Sequence, residues 1–162
     1  MTKDLQITRA TTPEQLSAIK TLFLEYAAFL NADLSFQNFR QELAQLPGYY
    51  APPGGDLLLA QYDSSPAGCV AVRQLTPGIC EMKRLFVRPQ YRKDGIGKTL
   101  ASEIVAIARR LGYRKMRLDS LTTLADAVRL YRKMGFYEIG AYCHNPLPGA
   151  VYMELDLEKE DK

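Results

Sequence analysis

Two glycines with basic neighbours mark the segment of this chain most suited to bind an anion. Gly95 and Gly97 open a stretch whose apolar residues recur at helical spacing: Ile96, Leu100, Ile104, Ile107 and Leu111. A helix N-terminus carries unpaired backbone N–H groups and partial positive charge, so it suits a phosphate or pyrophosphate. The glycines lack the Cβ atoms that would keep a phosphate away, and Arg92 and Lys93 add positive charge. The pattern predicts a site for a phosphorylated compound.

Two kinds of phosphate site compete for these residues. A nucleotide-binding P-loop requires Gly-x-x-x-x-Gly-Lys-Ser/Thr, and Gly97-Lys98-Thr99 supplies its last three positions. The first glycine of that motif falls on Arg92, and no obvious apolar strand ending in a magnesium-binding aspartate follows. The other interpretation is Arg92-x-x-Gly95-x-Gly97, which resembles the acyl-CoA-binding signature Gln/Arg-x-x-Gly-x-Gly/Ala of the GCN5-related N-acetyltransferase (GNAT) family. A plain strand–loop–helix connection is the third reading of the segment.

A second motif supports the resemblance to the GNAT family. The run from Leu130 to Phe136 contains Leu-Tyr-x-x-x-Gly-Phe, which is similar to a signature of that family. The strand-like run Lys83–Val87, followed by Arg88-Pro89, resembles the family's fourth strand and its exit. Because the two motifs stand at the expected separation and in the expected elements, the chain is identified as a member of the family over nearly its whole length.

The elements that must hold these motifs follow from periodicity and turn residues. Strands are predicted at Leu5–Arg9, Leu57–Tyr62, Cys69–Leu75, Ile79–Val87, Lys115–Asp119, Phe136–Tyr142 and Ala150–Leu157. Helices are predicted to begin at the capping box of Thr12 and Gln15, at Ser35, at Gly95 and at Leu124.

Short connections predict an antiparallel meander, with Asp63–Gly68 as one of its turns and Arg88–Asp94 as a loop. The order β-α-α-β-β-β-α-β-α-β-β is that of the GNAT fold. This is an α/β (α+β) fold with a mixed, mostly antiparallel sheet of about six to seven strands and flanking helices.

The resemblance implies acetyl-CoA as co-substrate and no metal. In the family the pyrophosphate is held largely by backbone N–H groups, which here belong to Arg92, Lys93, Asp94, Gly95, Ile96, Gly97 and Lys98. The fourth and fifth strands splay apart and pantetheine pairs with the fourth, here at Leu85, Phe86 and Val87; one of these amides would polarise the acetyl carbonyl. Many relatives also carry a cofactor-contacting asparagine seven residues before the tyrosine of the second motif. That position is Leu124 here, so the contact is lost or is made by Thr122 or Thr123.

The resemblance also names a candidate acid, Tyr131, which would protonate the leaving thiolate. Judged by spacing alone, this tyrosine is a buried aromatic residue on the apolar stripe of a helix.

The general base is less defined. Glu81 lies on the fourth strand, where several relatives place a carboxylate, and strand alternation puts it on the side of Leu85 unless a bulge intervenes. It is equally well a surface carboxylate paired with a basic neighbour. Asp119, His144 and water are the other candidates.

Composition excludes several other classes of protein. The 162 residues predict one domain, residues 1–157, with a short tail at 158–162. A net charge of +3 without a basic block argues against nucleic-acid binding, and no run reaches the ~18 apolar residues of a membrane span. Three widely spaced cysteines favour a cytoplasmic location, and a lone histidine without a Cys-x-x-Cys pair argues against zinc.

The sequence therefore predicts an N-acetyltransferase that moves an acetyl group from acetyl-CoA to a primary amine by direct attack in a ternary complex. The alternative is a CoA-binding sensor or subunit without catalysis. By resemblance the acceptor contacts Asn31–Phe36, Tyr49–Asp56 and Tyr142–Pro148, which hold few acids and so do not suit a polybasic acceptor. A small-molecule or peptide amine remains as partner, and the family also allows a homodimer through the last strands.

Overall fold

A single mixed sheet organises the molecule. The computed structural model describes residues 4–30, 34 and 38–159, except for the side chain of Lys93. The seven strands of the described part are β1 (Leu5–Arg9), β2 (Asp56–Tyr62), β3 (Ser65–Thr76), β4 (Ile79–Val87), β5 (Lys115–Leu121), β6 (Tyr137–Ile139) and β7 (Ala150–Asp156). They lie in the order β1-β2-β3-β4-β5-β7-β6, where β4 and β5 run parallel and the other neighbours run antiparallel. The predicted fold class is confirmed.

Within the described residues, four α-helices flank this sheet: α1 (Pro13–Leu30), α2 (Phe39–Ala44), α3 (Ile96–Arg110) and α4 (Ala125–Lys133). The capping box at the start of α1 is confirmed, because Gln15 N donates to Thr12 Oγ1 at 3.2 Å and Thr12 N donates to Gln15 Oε1 at 3.0 Å. The predicted start at Ser35 lies outside the described residues, and α2 is described from Phe39 onwards. None of the helices within the described ranges is long and apolar enough to cross a membrane.

The sheet has a hydrophobic core on each face. The core beneath α3 contains Val70, Met82, Leu100, Ile104, Met116 and Met153, and the core beneath α1 contains Ile19, Leu22, Phe23, Leu57, Leu59 and Phe86. The predicted stripe of α3 is buried except for Leu111, which is 41% exposed because the helix ends at Arg110. These two layers hold β4 in the centre of the molecule, with a helix against each of its faces.

Some predictions of local structure differ from the structure. The turn placed at Asp63–Gly68 is only Asp63-Ser64, both with positive φ, and β3 already begins at Ser65. Its Pro66 is tolerated beside a register shift in the β2–β3 pairing. The loop predicted at Arg88–Asp94 contains a 3₁₀ turn from Pro89 to Asp94, and the strand predicted at Phe136–Tyr142 is only Tyr137–Ile139.

Candidate active site

The two central strands separate halfway along their length. Pairing between β4 and β5 covers only Ile79–Glu81 against Lys115–Arg117, after which the strands diverge. A cavity of about 50 Å³ lies between their diverging ends, lined by Met82–Leu85, Leu118–Leu121 and Tyr131 among others. We call this cavity the neck. The edge of β4 that faces it is not paired with β5, so backbone groups there are available to a ligand.

A bulge in β4 shapes the neck. Lys83 is opposite Ala71 and Phe86 is opposite Cys69, so β4 contains one residue more than β3 across this interval. The bulge falls at Arg84, whose φ is 62°. Past it the alternation of side chains reverses, so that Leu85 packs into the core beneath α3. Glu81 and Leu85 therefore lie on opposite sides of the strand, because a bulge, the exception allowed for in the prediction, lies between them.

The side chain of Arg84 is held by a buried ion pair with Glu42 of α2. Its Nε and Nη2 donate to the two carboxylate oxygens at 3.1 and 2.9 Å, and both side chains are less than 5% exposed. The guanidinium also lies over the ring of Phe39, 5.1 Å from its centroid. A non-glycine residue in the left-handed region costs about 1–3 kcal/mol and persists only where its surroundings hold it. The pair thus joins α2 to the bulge.

We expect Glu42→Gln to lower the free energy of unfolding by about 1–3 kcal/mol, because it leaves a buried guanidinium without its counter-charge. Denaturant unfolding would measure this. Glu25→Gln is the matched control: Glu25 pairs with Arg88 in the same two-bond manner but is 37% exposed. Its loss should cost less than about 1 kcal/mol. Equal costs in the two variants would contradict a structural role for the buried pair.

A groove of about 350 Å³ runs from the start of α3 to the neck. Gly95 has a φ of 74°, and a Cβ built there would meet no atom within 4 Å. A Cβ on Gly97 would meet only Val87 Cγ2, at 3.7 Å. α3 has no side-chain cap, and its first backbone hydrogen bond joins Thr99 N to Gly95 O at 3.1 Å, so the three preceding amides point out of the helix. These open amides at glycines fit a pyrophosphate.

Most of the predicted cofactor-binding residues line this groove: Leu85, Phe86, Val87, Arg92, Gly95, Gly97 and Lys98. Arg92 is fixed there, because its Nε donates to Val87 O at 2.8 Å and its guanidinium lies 4.4 Å from the ring centroid of Phe29. Ile96 is buried in the core, so only its amide can contact a ligand. Asp94 is exposed and not part of the groove lining, and the side chain of Lys93 lies outside the described residues.

Sequence reasoning missed the contribution of α1 to the groove. Tyr26 and Phe29, one helical turn apart, form part of its wall. Phe29 is 47% exposed, and this exposure cannot be read from the sequence.

Leu124 stands where many relatives have a cofactor-contacting asparagine, and the two threonines before it lie in different places. Leu124 lines both the groove and the neck with an apolar side chain. Thr123 also lines the groove, whereas Thr122 packs against Gly149, where a Cβ would lie 2.5 Å from the threonine Oγ1. Of the two threonines, Thr123 is therefore the one that can replace a polar contact to the cofactor.

Tyr131 reaches the neck from α4. Its side chain is buried, with 6% exposure, and its ring packs on Phe136 with the centroids 5.6 Å apart. Its hydroxyl makes no hydrogen bond to any residue that the structure describes. Burial raises its pKa, and the charges of Tyr26 and Asp119 raise that pKa further. The phenol is therefore protonated throughout the physiological range and is a free hydrogen-bond donor in the neck.

A second cavity, of about 270 Å³, adjoins the neck. We call it the acceptor cavity; its lining includes Tyr49, Arg73, Glu81, Lys83, Asp119 and His144. Lys83 and Asp119 line both this cavity and the neck, while Leu85 and Leu124 line both the neck and the groove. The groove, the neck and the acceptor cavity thus form a series through the gap between β4 and β5, with Tyr131 in the middle.

Both candidate carboxylates lie in the acceptor cavity. Glu81 is 2% exposed and accepts hydrogen bonds from Arg73 Nε at 2.9 Å and from the Tyr142 hydroxyl at 2.6 Å. Burial alone would raise its pKa, but Lys83, Tyr142 and Arg73 outweigh burial and lower it. Asp119 accepts from Asn145 Nδ2 at 2.9 Å. Ligand atoms of Glu81 and Asp119 lie within 4.8 Å of each other, so one amine could contact both.

Comparison with known proteins decides the family. The model of the acetyltransferase (GNAT) family matches residues 17–136. The chain belongs to the GNAT family. A relative named an uncharacterized N-acetyltransferase, from Schizosaccharomyces pombe, is 44% identical over 158 residues, which is 96% of this chain and 97% of that protein.

Solved structures share the fold of this GNAT protein. An acetyltransferase of the GNAT family from Staphylococcus aureus aligns with a TM-score of 0.78 at 19% identity, covering 95% of this chain and 99% of that one. The PaiA N-acetyltransferase of Thermoplasma acidophilum, solved in complex with coenzyme A, aligns with a TM-score of 0.72 at 20% identity, covering 94% and 99%.

The protein is an acetyl-CoA-dependent N-acetyltransferase, with acetyl-CoA as co-substrate. Membership of this family argues against the nucleotide-binding interpretation of Gly97-Lys98-Thr99. The Thr99 hydroxyl is engaged within the first turn of α3, where it donates to Gly95 O at 3.0 Å.

Proposed function

We propose that this enzyme acetylates a primary amine in the neck, with Tyr131 as the general acid and with Glu81 and Asp119 as the groups that receive the proton of the amine. The observation that supports this best is the series of groove, neck and acceptor cavity, in which Tyr131 lines the neck in the middle. The two substrates would enter from opposite ends and meet where the strands part, as a ternary complex requires.

Acetyl-CoA supplies an activated acyl group as a thioester. In this proposal the open amides at the start of α3 bind the pyrophosphate, with charge from Lys98. The unpaired edge of β4 at Leu85–Val87 then orients the pantetheine, and one of its amides stabilises the oxyanion in the transition state. The Arg84 bulge, held by Glu42, aims that edge into the neck.

Tyr131 would donate its proton to the departing sulfur. Because its pKa is raised, Tyr131 would be a poor proton donor to a thiolate that had the pKa of a thiol in water. The thiolate forms in the same apolar surroundings, however, and burial also raises the pKa of thiols, as for Cys80 here, to about 12. The pKa values of donor and acceptor are thus raised together, and the transfer remains feasible.

Glu81 and Asp119 would share the task of holding and deprotonating the amine. Asp119 lines both the neck and the acceptor cavity, whereas Glu81 lines the acceptor cavity alone. We assign Asp119 to contact the amine and Glu81 to accept its proton through Asp119 or a bridging water. His144 lines the same cavity from the loop that follows β6 and would contact the rest of the acceptor.

The pH dependence of kcat/KM tests this assignment. Because the pKa of Glu81 is lowered, its carboxylate is present above that value and is lost only as pH falls through it, below the ordinary range for glutamate. Between about pH 5 and 8 the fall in rate on acidification should therefore report protonation of the acceptor amine. We expect this limb to move with the pKa of the amine across a series of acceptors. A limb that stays fixed near neutral pH for every amine would contradict the assignment.

The location of the enzyme in the cell and its oligomeric state are two further proposals. Cys69, Cys80 and Cys143 are all free thiols, which supports a reducing, cytoplasmic location. Association into a homodimer through β6 and β7 remains a proposal that sedimentation would test.

Two assays together test the proposed function. Acetyl-CoA should raise the melting temperature by mass action, because it binds only the folded protein. A panel of primary amines should then accelerate the release of free CoA thiol from acetyl-CoA, with one acetylated amine formed for each thiol. A thermal shift without acceleration by any amine or peptide would overturn the catalytic proposal in favour of a CoA-binding module.

A further inference from the structure

The described residues that line the acceptor cavity carry charges of both signs. Arg73 and Lys83 are cations, and Glu81 and Asp119 are anions. Glu42 also lines the cavity, but both of its carboxylate oxygens are bound by Arg84, whereas Arg73 pairs with Glu81 through Nε alone, at 2.9 Å. A cavity for a polyamine would hold an excess of carboxylates, and one for a plain alkylamine would need no cations. The charge pattern instead matches a molecule with one charge of each sign.

Arg73 is the cation that could bind the negatively charged end of such a molecule. Its Nε donates to Glu81 at 2.9 Å, and its guanidinium lies 5.5 Å from the ring centroid of Tyr49. The side chain is 29% exposed, and neither of its terminal nitrogens donates a hydrogen bond within the part of the chain that the structure describes. A guanidinium that lines a cavity and is anchored through Nε, with its terminal nitrogens unengaged by described residues, suits bidentate binding of a carboxylate.

The strand order sets the distance between the two ends of such a ligand. Arg73 on β3 stands opposite Glu81 on β4, and Asp119 is on β5, one strand further along. Paired strands lie about 4.8 Å apart, so the backbones of β3 and β5 are about 10 Å apart where β4 still pairs with both. Side chains that reach inward from both ends leave room for a molecule whose amine and carboxylate are separated by a few bonds.

We propose that the acceptor is an amino acid, with its amine beside Asp119 at the neck and its carboxylate on the terminal nitrogens of Arg73. Lys83 lines the same cavity and adds positive charge to it. This inference rests on the proposed function, because it assumes that the acceptor cavity receives the amine. The competing acceptors are a polyamine and the N-terminus of a peptide. In the peptide, an uncharged amide stands where the amino acid has its carboxylate.

Matched pairs of acceptors test the inference. β-Alanine would be compared with β-alaninamide, and L-alanine with L-alaninamide, at equal concentrations of neutral amine so that differences in amine pKa cancel. We expect kcat/KM to be at least about 10-fold higher for the acids, as a hydrogen-bonded charge contact is worth. Equal rates, or faster turnover of the amides or of spermidine, would overturn the inference and leave the acetyltransferase proposal standing. No turnover of any amine would overturn both.

Variants at Arg73 test whether this residue causes the preference for acids over amides. Arg73→Gln should reduce the acid-to-amide ratio of kcat/KM to near one, and Arg73→Lys should restore only part of it, because lysine lacks the two-pronged geometry. The ratio is the readout, since loss of the bond to Glu81 would slow acids and amides alike. The KM for acetyl-CoA should not change.

Arg9→Gln, which removes a surface cation paired with Asp56, is the control and should keep the ratio. An unchanged ratio in Arg73→Gln would overturn the assignment.

Discussion

Replacing Gly97 with aspartate should abolish CoA binding and leave the protein folded. The new side chain would project into the groove, where its carboxylate would occupy the place of the pyrophosphate. Two unit charges about 4 Å apart near a protein surface repel by about 4 kcal/mol, so the Kd for CoA should rise by more than roughly 100-fold. The fold should tolerate the change, since the added Cβ meets only a methyl group at 3.7 Å and aspartate is favourable in the first turn of a helix.

Calorimetric titration with CoA would measure this loss, and thermal unfolding would report the fold. Gly140→Asp is the matched control, because it adds the same charge at an exposed glycine whose Cβ would meet nothing within 4 Å. Gly140 is not part of the groove lining, so the affinity of that variant for CoA should equal that of the wild type. Retained affinity in Gly97→Asp would remove the pyrophosphate site from the start of α3.

Replacing Tyr131 with phenylalanine should lower kcat by roughly 10²-fold, the amount that general acid catalysis is typically worth. The substitution deletes a hydroxyl that has no hydrogen-bond partner among the described residues, so packing against Phe136 should be kept. Affinity for acetyl-CoA should change little, because the lost interaction exists mainly in the transition state.

Single-turnover measurements would separate this chemical step from product release. Tyr113→Phe is the control for loss of a tyrosine hydroxyl: Tyr113 is also largely buried, but its hydroxyl donates to Gly54 O at 2.5 Å, away from the neck. That variant should lose about 1 kcal/mol of stability and keep its kcat. A chemical step that is equally fast in Tyr131→Phe and in the wild type would retire Tyr131 as the acid.

Local patterns were sufficient to predict the elements of the site. The span Ile79–Val87 was predicted with both of its ends correct, because an apolar run is bounded by a glycine turn and by Arg88-Pro89. The glycines and the apolar stripe behind them predicted where α3 begins and which face it buries, since both depend on residues adjacent in sequence. Tyr131 was predicted as the acid from resemblance alone. Its spacing favoured a core role, and it is indeed buried, while its hydroxyl has no partner among the described residues.

Features that depend on distant pairs could not be predicted. The bulge at Arg84 has no signature in its own strand, because it is held by Glu42, which is 42 positions away in the sequence. The same applies to Glu81, which was predicted as a base but whose pKa is lowered by Arg73 on another strand and by Tyr142 in the loop after β6. Arg73 itself stands in an ordinary alternating strand, and only the fold shows that its side chain lines a cavity.

A crystal structure of the protein with CoA would test the central claim most directly. The account predicts that the pantetheine arm lies between β4 and β5 against Leu85–Val87. Its sulfur should lie in the neck, within hydrogen-bond distance of the Tyr131 hydroxyl. A cofactor whose sulfur lies outside the neck, or a neck that stays closed by contact between β4 and β5 while CoA is bound elsewhere, would contradict it.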